Sequence, residues 1–184
     1  MISLFVFLII ILRRIVMTKR SRIVSIILFL IYILLLTWII IYKMDFMLTR
    51  MPDRSLNLVP LQGTAKYHGH YDYKELFFNV IIFIPLGMFV SMAIKRFNLV
   101  AAFCGGFFLS VIYEAVQYVL VCGVADVTDV ITNTGGALIG GIVYLIIKAI
   151  FKKNHIKVIN TMGMMAFIIL LMFGAISFIG FYWF

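Results

Sequence analysis

A chain of 184 residues that is 65% hydrophobic and only 12% charged cannot be an ordinary soluble domain, which runs near half apolar and about a quarter charged. Its apolar residues lie in long runs, so the bilayer is its solvent, and only helices or a closed barrel can pair their backbone groups there; the roughly ten-residue alternating segments of a barrel are absent. The net charge of +9 sits between the runs, where it marks cytoplasmic loops and contact with anionic membrane lipids and excludes nucleic acid as the expected partner.

Residues 1–12 are apolar but too short to span, and Arg13 and Arg14 follow that run instead of preceding it. That order is wrong for a secretory signal peptide. Two readings remain, a short membrane-lying helix or a start at Met17 that makes residues 1–16 an upstream extension, and the mismatch favours Met17.

Five runs approach the roughly 20 residues that a span needs: residues 23–42, 76–94, 99–121, 127–150 and 158–184. The first and last are almost purely apolar and carry aromatic ends, Trp38 and Tyr42 in one, Tyr182 and Trp183 in the other. Such rings prefer the headgroup level, and both runs read as plain spanning helices. Arg13, Arg14, Lys19, Arg20 and Arg22 precede the first run, Lys95 and Arg96 fill the second connection, and Lys148, Lys152, Lys153 and Lys157 fill the last. Connection 43–75 is mixed, and the remaining one holds only Asp126. This alternation predicts an all-α integral membrane bundle of about five helices, with the amino end cytoplasmic and the carboxyl end outside. Segment 1–22 is then a basic amino-terminal stretch, 23–150 the membrane unit with outer loop 43–75, and 151–184 a cytoplasmic loop with the final helix. Cys104 and Cys122 fall near opposite ends of one run, about 27 Å apart at 1.5 Å per residue, too far to bridge each other.

The outer loop exceeds the 12–15 residues of an ordinary connection. Turn signals stand at Met51-Pro52-Asp53 and Asn57-Leu58-Val59-Pro60, and its mixture of Leu, Val and Tyr with polar residues predicts packing on the membrane surface or between helices. His68 and His70 are two potential ligands, where a catalytic zinc site usually has three, so a solvated loop is the expectation and no metal is assigned. No Gly-rich phosphate loop, nucleophile elbow or zinc helix motif occurs, and no cofactor is expected.

Polar groups inside the spans need a reason, because charge in the bilayer costs roughly 2.5–3.5 kcal/mol on insertion scales. Ser110, Glu114 and Gln117 fall four and three residues apart, on one helix face. Asp126, Asp129, Asn133, Gly136 and Gly140 step by three, four, three and four, again a single stripe. Helix rise puts Glu114 about 10 Å, Asn133 about 9 Å and Asn79 roughly 5 Å below the outer ends of their helices. Glu114, Gln117, Asp129, Asn133 and Asn79 are therefore expected to meet in one outer-leaflet pocket with Asp126 at its mouth. Simpler roles compete: Asn and Gln as interhelical glue, and Asp126 and Asp129 as caps of a helix amino end. Gly136 and Gly140, flanked by Gly135 and Gly141, are explained by close helix packing. Pro85 frees the Ile81 carbonyl and is expected to kink the second span.

Four segments resemble the VanZ-like family: Ser55-Leu56-Asn57-Leu58-Val59-Pro60, Asn79-Val80-Ile81-Ile82-Phe83-Ile84-Pro85-Leu86-Gly87, Glu114-Ala115-Val116-Gln117, and Asp126-Val127-Thr128-Asp129-Val130-Ile131-Thr132-Asn133-Thr134-Gly135-Gly136. The resemblance implies a small multi-helix protein of the Gram-positive plasma membrane, linked to low-level resistance to teicoplanin and related lipoglycopeptides. It adds Asn57 and Pro60 to the polar positions already collected. It names a phenotype and not a reaction, so three readings stay open. One is binding of an amphiphile at the outer leaflet, either the drug's lipid tail or a lipid-linked cell-wall precursor. Another is an enzyme modifying an envelope lipid, with Glu114 or Asp129 as general acid/base or metal ligand. The third is a transporter, less attractive because no internal repeat is visible. Oligomeric state is left open.

Overall fold

The computed structural model describes residues 19–41, 54–61, 66–67, 70–71, 73–94 and 98–183. Residues 1–18, and with them both readings of the amino end, lie outside it, as do His68, Lys95 and Arg96. The described helices are α1 (Lys19–Ile41), α2 (Lys74–Ala93), α3 (Asn98–Leu120), α4 (Val127–Phe151) and α5 (His155–Trp183). Short strands β1 (Ser55–Asn57), β2 (Lys66–Tyr67), β3 (His70–Tyr71) and β4 (Val124–Asp126) lie between them.

Among the described residues, four stretches are long and apolar enough to cross a membrane: Ser21–Ile41, Lys74–Ala93, Asn98–Leu120 and Val127–Leu171. The fourth has 45 residues, about 68 Å at 1.5 Å per residue and over twice the thickness of the hydrocarbon core. It is broken at Lys152, whose φ of 45° ends α4 and begins a 3-10 turn over Lys152–Asn154. Helix α5 then packs against α4 and α1. It begins at His155, three residues before the apolar run, because a helix does not stop where hydrocarbon does. Leu34, Phe77, Val119, Ile150 and Ile169 are among the large apolar side chains left on the outside, the inverse of a water-soluble surface.

The core is the packing of α2, α3 and α4 on one another. Three glycines set the α2–α4 distance. A Cβ on Gly136 would lie 2.2 Å from the Val80 carbonyl oxygen, one on Gly140 2.0 Å from that of Ile84, and one on Gly87 1.8 Å from that of Ala137. The backbones touch, as the spacing of Gly136 and Gly140 predicts. Gly135 corrects the expectation that it shares this packing: a Cβ there would have nothing within 4 Å. One residue is about 100° of helix rotation, enough to turn Gly135 away from the neighbour that Gly136 touches.

Helix α1 buries Phe29, Leu36 and Ile41 against Phe83, Leu86 and Val90 of α2 and Leu109 and Tyr113 of α3. Its Tyr32 hydroxyl donates at 2.8 Å to the Ile82 carbonyl, in the turn preceding Pro85, through which α2 continues. The expectation of two plain apolar spans is amended at α1 and α5. Ser25 donates to Asn160 Oδ1 at 2.7 Å, and Asn160 Nδ2 donates to the Ser21 carbonyl at 3.0 Å. Both side chains are buried, and such pairs tie helices together where water cannot compete. The short turn from α2 to α3 is closed by Ser91 and Asn98, each of which donates to the other's carbonyl, at 3.0 and 3.1 Å.

Candidate functional site

The end of α3 sets the position of everything that follows. Val121 takes a left-handed conformation, φ 57°, and the Cys122 N–H donates 3.1 Å back to the Gln117 carbonyl. This is the helix-ending arrangement that usually has glycine where Val121 stands, and a β-branched residue there costs roughly 1–2 kcal/mol. The next residue, Gly123, lies against the Gln117 side chain, where a Cβ would be 3.1 Å from Nε2. The chain then runs through β4 into α4.

Asp126 is the hinge of the site. Its φ and ψ, −121° and 125°, are extended, and its Oδ1 accepts the Thr128 N–H at 2.7 Å, so it caps α4 as its position predicts. The same residue does two further things. Its backbone N–H donates to Glu114 Oε2 at 2.9 Å, and its Oδ2 accepts from Asn57 Nδ2 at 2.8 Å. Asn57 comes from the connection between α1 and α2, where β1 pairs in parallel with β4 in the register Ser55 to Val124, Leu56 to Ala125 and Asn57 to Asp126. The Asn57 Oδ1 accepts the Val59 N–H at 3.2 Å and starts the turn containing Pro60. Leu61, at φ 64°, then donates its N–H to Thr128 Oγ1 at 3.0 Å. At the start of β1, the Arg54 guanidinium lies 5.7 Å from the Tyr118 ring centroid, a cation–π contact. The segment 54–61 is thus fixed over the α3–α4 junction.

One turn further along α4, Asp129 Oδ1 accepts from Asn79 Nδ2 of α2 at 2.8 Å. A turn deeper, Asn133 Nδ2 donates to Ser110 Oγ at 2.9 Å, beneath Glu114 on the facing helix. Asn57, Asp126 and Glu114 are therefore directly linked, while Asp129 pairs with Asn79 of α2 and Asn133 with Ser110 of α3 along the same α4 stripe. Gln117 departs from the expected pocket: its Nε2 reaches across to the Ile40 carbonyl of α1 at 3.1 Å. Asn133 Oδ1 and Gln117 Oε1 are buried with no hydrogen-bond partner. Glu114, Gln117 and Asn133 are at most 8% exposed.

The polar column stops below Ser110 and Asn133. There a Cβ on Gly106 would lie 2.5 Å from the Ala137 Cβ, so α3 and α4 close directly. Among the described residues, no group of three or more His, Cys, Asp or Glu could hold a metal. What the arrangement can do is present carboxylates and amide carbonyls, as hydrogen-bond acceptors, at one end of an otherwise apolar bundle.

Sequence reasoning missed the β1–β4 ladder and the Thr128 hydroxyl. The signal for Thr128 was available, since a Thr two residues after a capping Asp sits in the first turn with its hydroxyl near the cap. A three-residue parallel pairing carries no comparable signal.

The family model described as VanZ/LLP1 matches residues 29–148. Protein VanZ of Enterococcus faecium is 32% identical over 146 residues, which are 77% of this chain and 87% of that protein. No solved structure matches. The matched stretch runs from α1 into α4 and contains Asn57, Asn79, Ser110, Glu114, Gln117, Asp126, Asp129 and Asn133.

Proposed function

This chain is a membrane protein that belongs to the VanZ/LLP1 family, and from that premise we propose that it confers low-level resistance to teicoplanin and related lipoglycopeptides by binding an amphiphile at its polar end. On this reading the chain crosses a Gram-positive plasma membrane five times, α4 and α5 each making one crossing. The amino end is cytoplasmic and the carboxyl end outside. The basic residues Lys148, Lys152, Lys153 and Lys157 then lie inside, and the Asp126 end of the bundle lies in the outer leaflet. The bound amphiphile is the drug's lipid tail or a lipid-linked cell-wall precursor.

The observation that carries this reading is the convergence of Asn57, Asp126 and Glu114 from three separate segments, beside Asp129 and Asn79, in a bundle whose outer faces are apolar. A few convergent polar groups in apolar surroundings suit a molecule with both a headgroup and a chain. A transport path fits less well, because the column ends where Gly106 meets Ala137.

The test is teicoplanin susceptibility of a sensitive Gram-positive host expressing the wild type or Glu114→Gln, with membrane abundance measured in both. Gln keeps the side-chain length and an acceptor for the Asp126 N–H, and removes the charge. The expected result is resistance from the wild type and its loss in an equally abundant variant. Equal resistance in both would make Glu114 interhelical glue and end this reading.

A further inference from the structure

The polar end is unbalanced in one direction. Glu114 and Asp126 receive donors from backbone N–H groups and from Asn57, and among the described residues neither is paired with a cation. Arg54, at the same end, is directed onto the Tyr118 ring. Glu114 is flanked by two amides that are each more than nine-tenths buried: Asn133 at 3% exposed, a turn below across the helix pair, and Gln117 at 7%, a turn above on α3. Both use their nitrogen, on Ser110 and on Ile40, and both leave the carbonyl oxygen buried with no donor. Buried carbonyls are nearly always satisfied, so the Asn133 oxygen left open a turn below the Glu114 carboxylate points to a donor that none of the described residues supplies.

We propose that this end of the bundle binds a primary ammonium group carried on the headgroup of an amphiphile, held by the Glu114 carboxylate and the Asn133 carbonyl oxygen. The inference rests on the amphiphile reading above and names the headgroup chemistry that the site selects. A primary ammonium has three N–H donors and no acceptor, the complement of a cluster made of acceptors. Its bonds to carboxylate are charge-assisted, each spanning about 2.7–2.9 Å. A quaternary ammonium has the charge but no N–H to give to Asn133, and an anionic headgroup meets the Glu114 carboxylate with Asp126 beside it.

The experiment uses the full chain purified in a non-ionic detergent and reads its thermal unfolding midpoint. Short-chain phosphatidylethanolamine, phosphatidylcholine and phosphatidylglycerol are added in turn, and ethanolamine and Mg²⁺ are added alone. The expected result is a rise of about 3–6 °C with phosphatidylethanolamine at ten times its Kd, and no rise with the other two lipids. Glu114→Gln and Asn133→Leu should each remove that rise. The comparison of headgroups on the wild type stands even if either variant fails to fold. An equal rise from ethanolamine alone would keep the ammonium and show that a free amine suffices. Equal rises from all three lipids, lost in Glu114→Gln, would overturn the ammonium while leaving the amphiphile site intact. The same rise from Mg²⁺ would also overturn it, and no rise from any lipid would overturn both readings.

Discussion

Adjacent glycines in α4 should respond to the same substitution with opposite sign. Gly136→Ala places a Cβ 2.2 Å from the Val80 carbonyl oxygen, against 3.4 Å for an ordinary van der Waals contact, so α2 and α4 must part by about 1.2 Å. The atom in the way is backbone and cannot rotate aside. Overpacking of this kind costs roughly 1–3 kcal/mol, and a gap near 1 Å forfeits a quarter to a half of each neighbouring contact. Alanine recovers only about 0.8–1 kcal/mol of helix propensity, so Gly136→Ala is expected to destabilise by about 1–2 kcal/mol or more. Gly135→Ala adds a Cβ with nothing within 4 Å and keeps the propensity gain without the clash. It is expected to be neutral or stabilising by up to about 1 kcal/mol. The assay is denaturant unfolding of the two variants and the wild type in the same detergent, followed by helix signal. Equal stability of the two variants would refute the backbone contact between α2 and α4.

Two other interactions can be checked the same way. Asp126→Ala removes the α4 cap and the partner of Asn57, and should cost about 1–2 kcal/mol; tryptic cleavage after Arg54 should also accelerate, and an unchanged cleavage rate would mean that segment 54–61 is held by other contacts. A double-mutant cycle between Ser25→Ala and Asn160→Leu should give a coupling of about 0.6 kcal/mol, the average for hydrogen bonds between membrane helices. Zero coupling would mean that α1 and α5 are not joined through that pair.

Helix positions were readable because in a bilayer length and hydropathy alone decide what spans, so the long apolar runs and the observed helices end within a few residues of each other. Rise per residue converts position into distance along a helix, so depths for Glu114, Asn133 and Asn79 could be read as expectations. Their partners could not. That Asn79 meets Asp129 while Gln117 turns to α1 depends on helix rotation and crossing, which a one-dimensional pattern does not encode. The Ser25–Asn160 pair was within reach. Each lies two residues inside the start of its apolar run, and the predicted orientation puts both starts on the same side. The direction in which Gly135 and Gly136 face is different in kind, because it is set by contacts with α2 and not by any property of two identical residues.

The pairing of β1 with β4 has a consequence for biosynthesis. Asn57 and Asp126 are 69 residues apart, and two membrane helices, α2 and α3, lie between them. Residues 55–57 leave the ribosome first and wait, unpaired, until both helices have been inserted. Parallel strands need such a crossover, and here the crossover passes through the membrane and back. If either helix were inserted the wrong way, β4 would emerge on the side opposite β1 and the ladder could not form. The three-residue strand pair therefore closes only when the two helices between its strands cross in opposite directions.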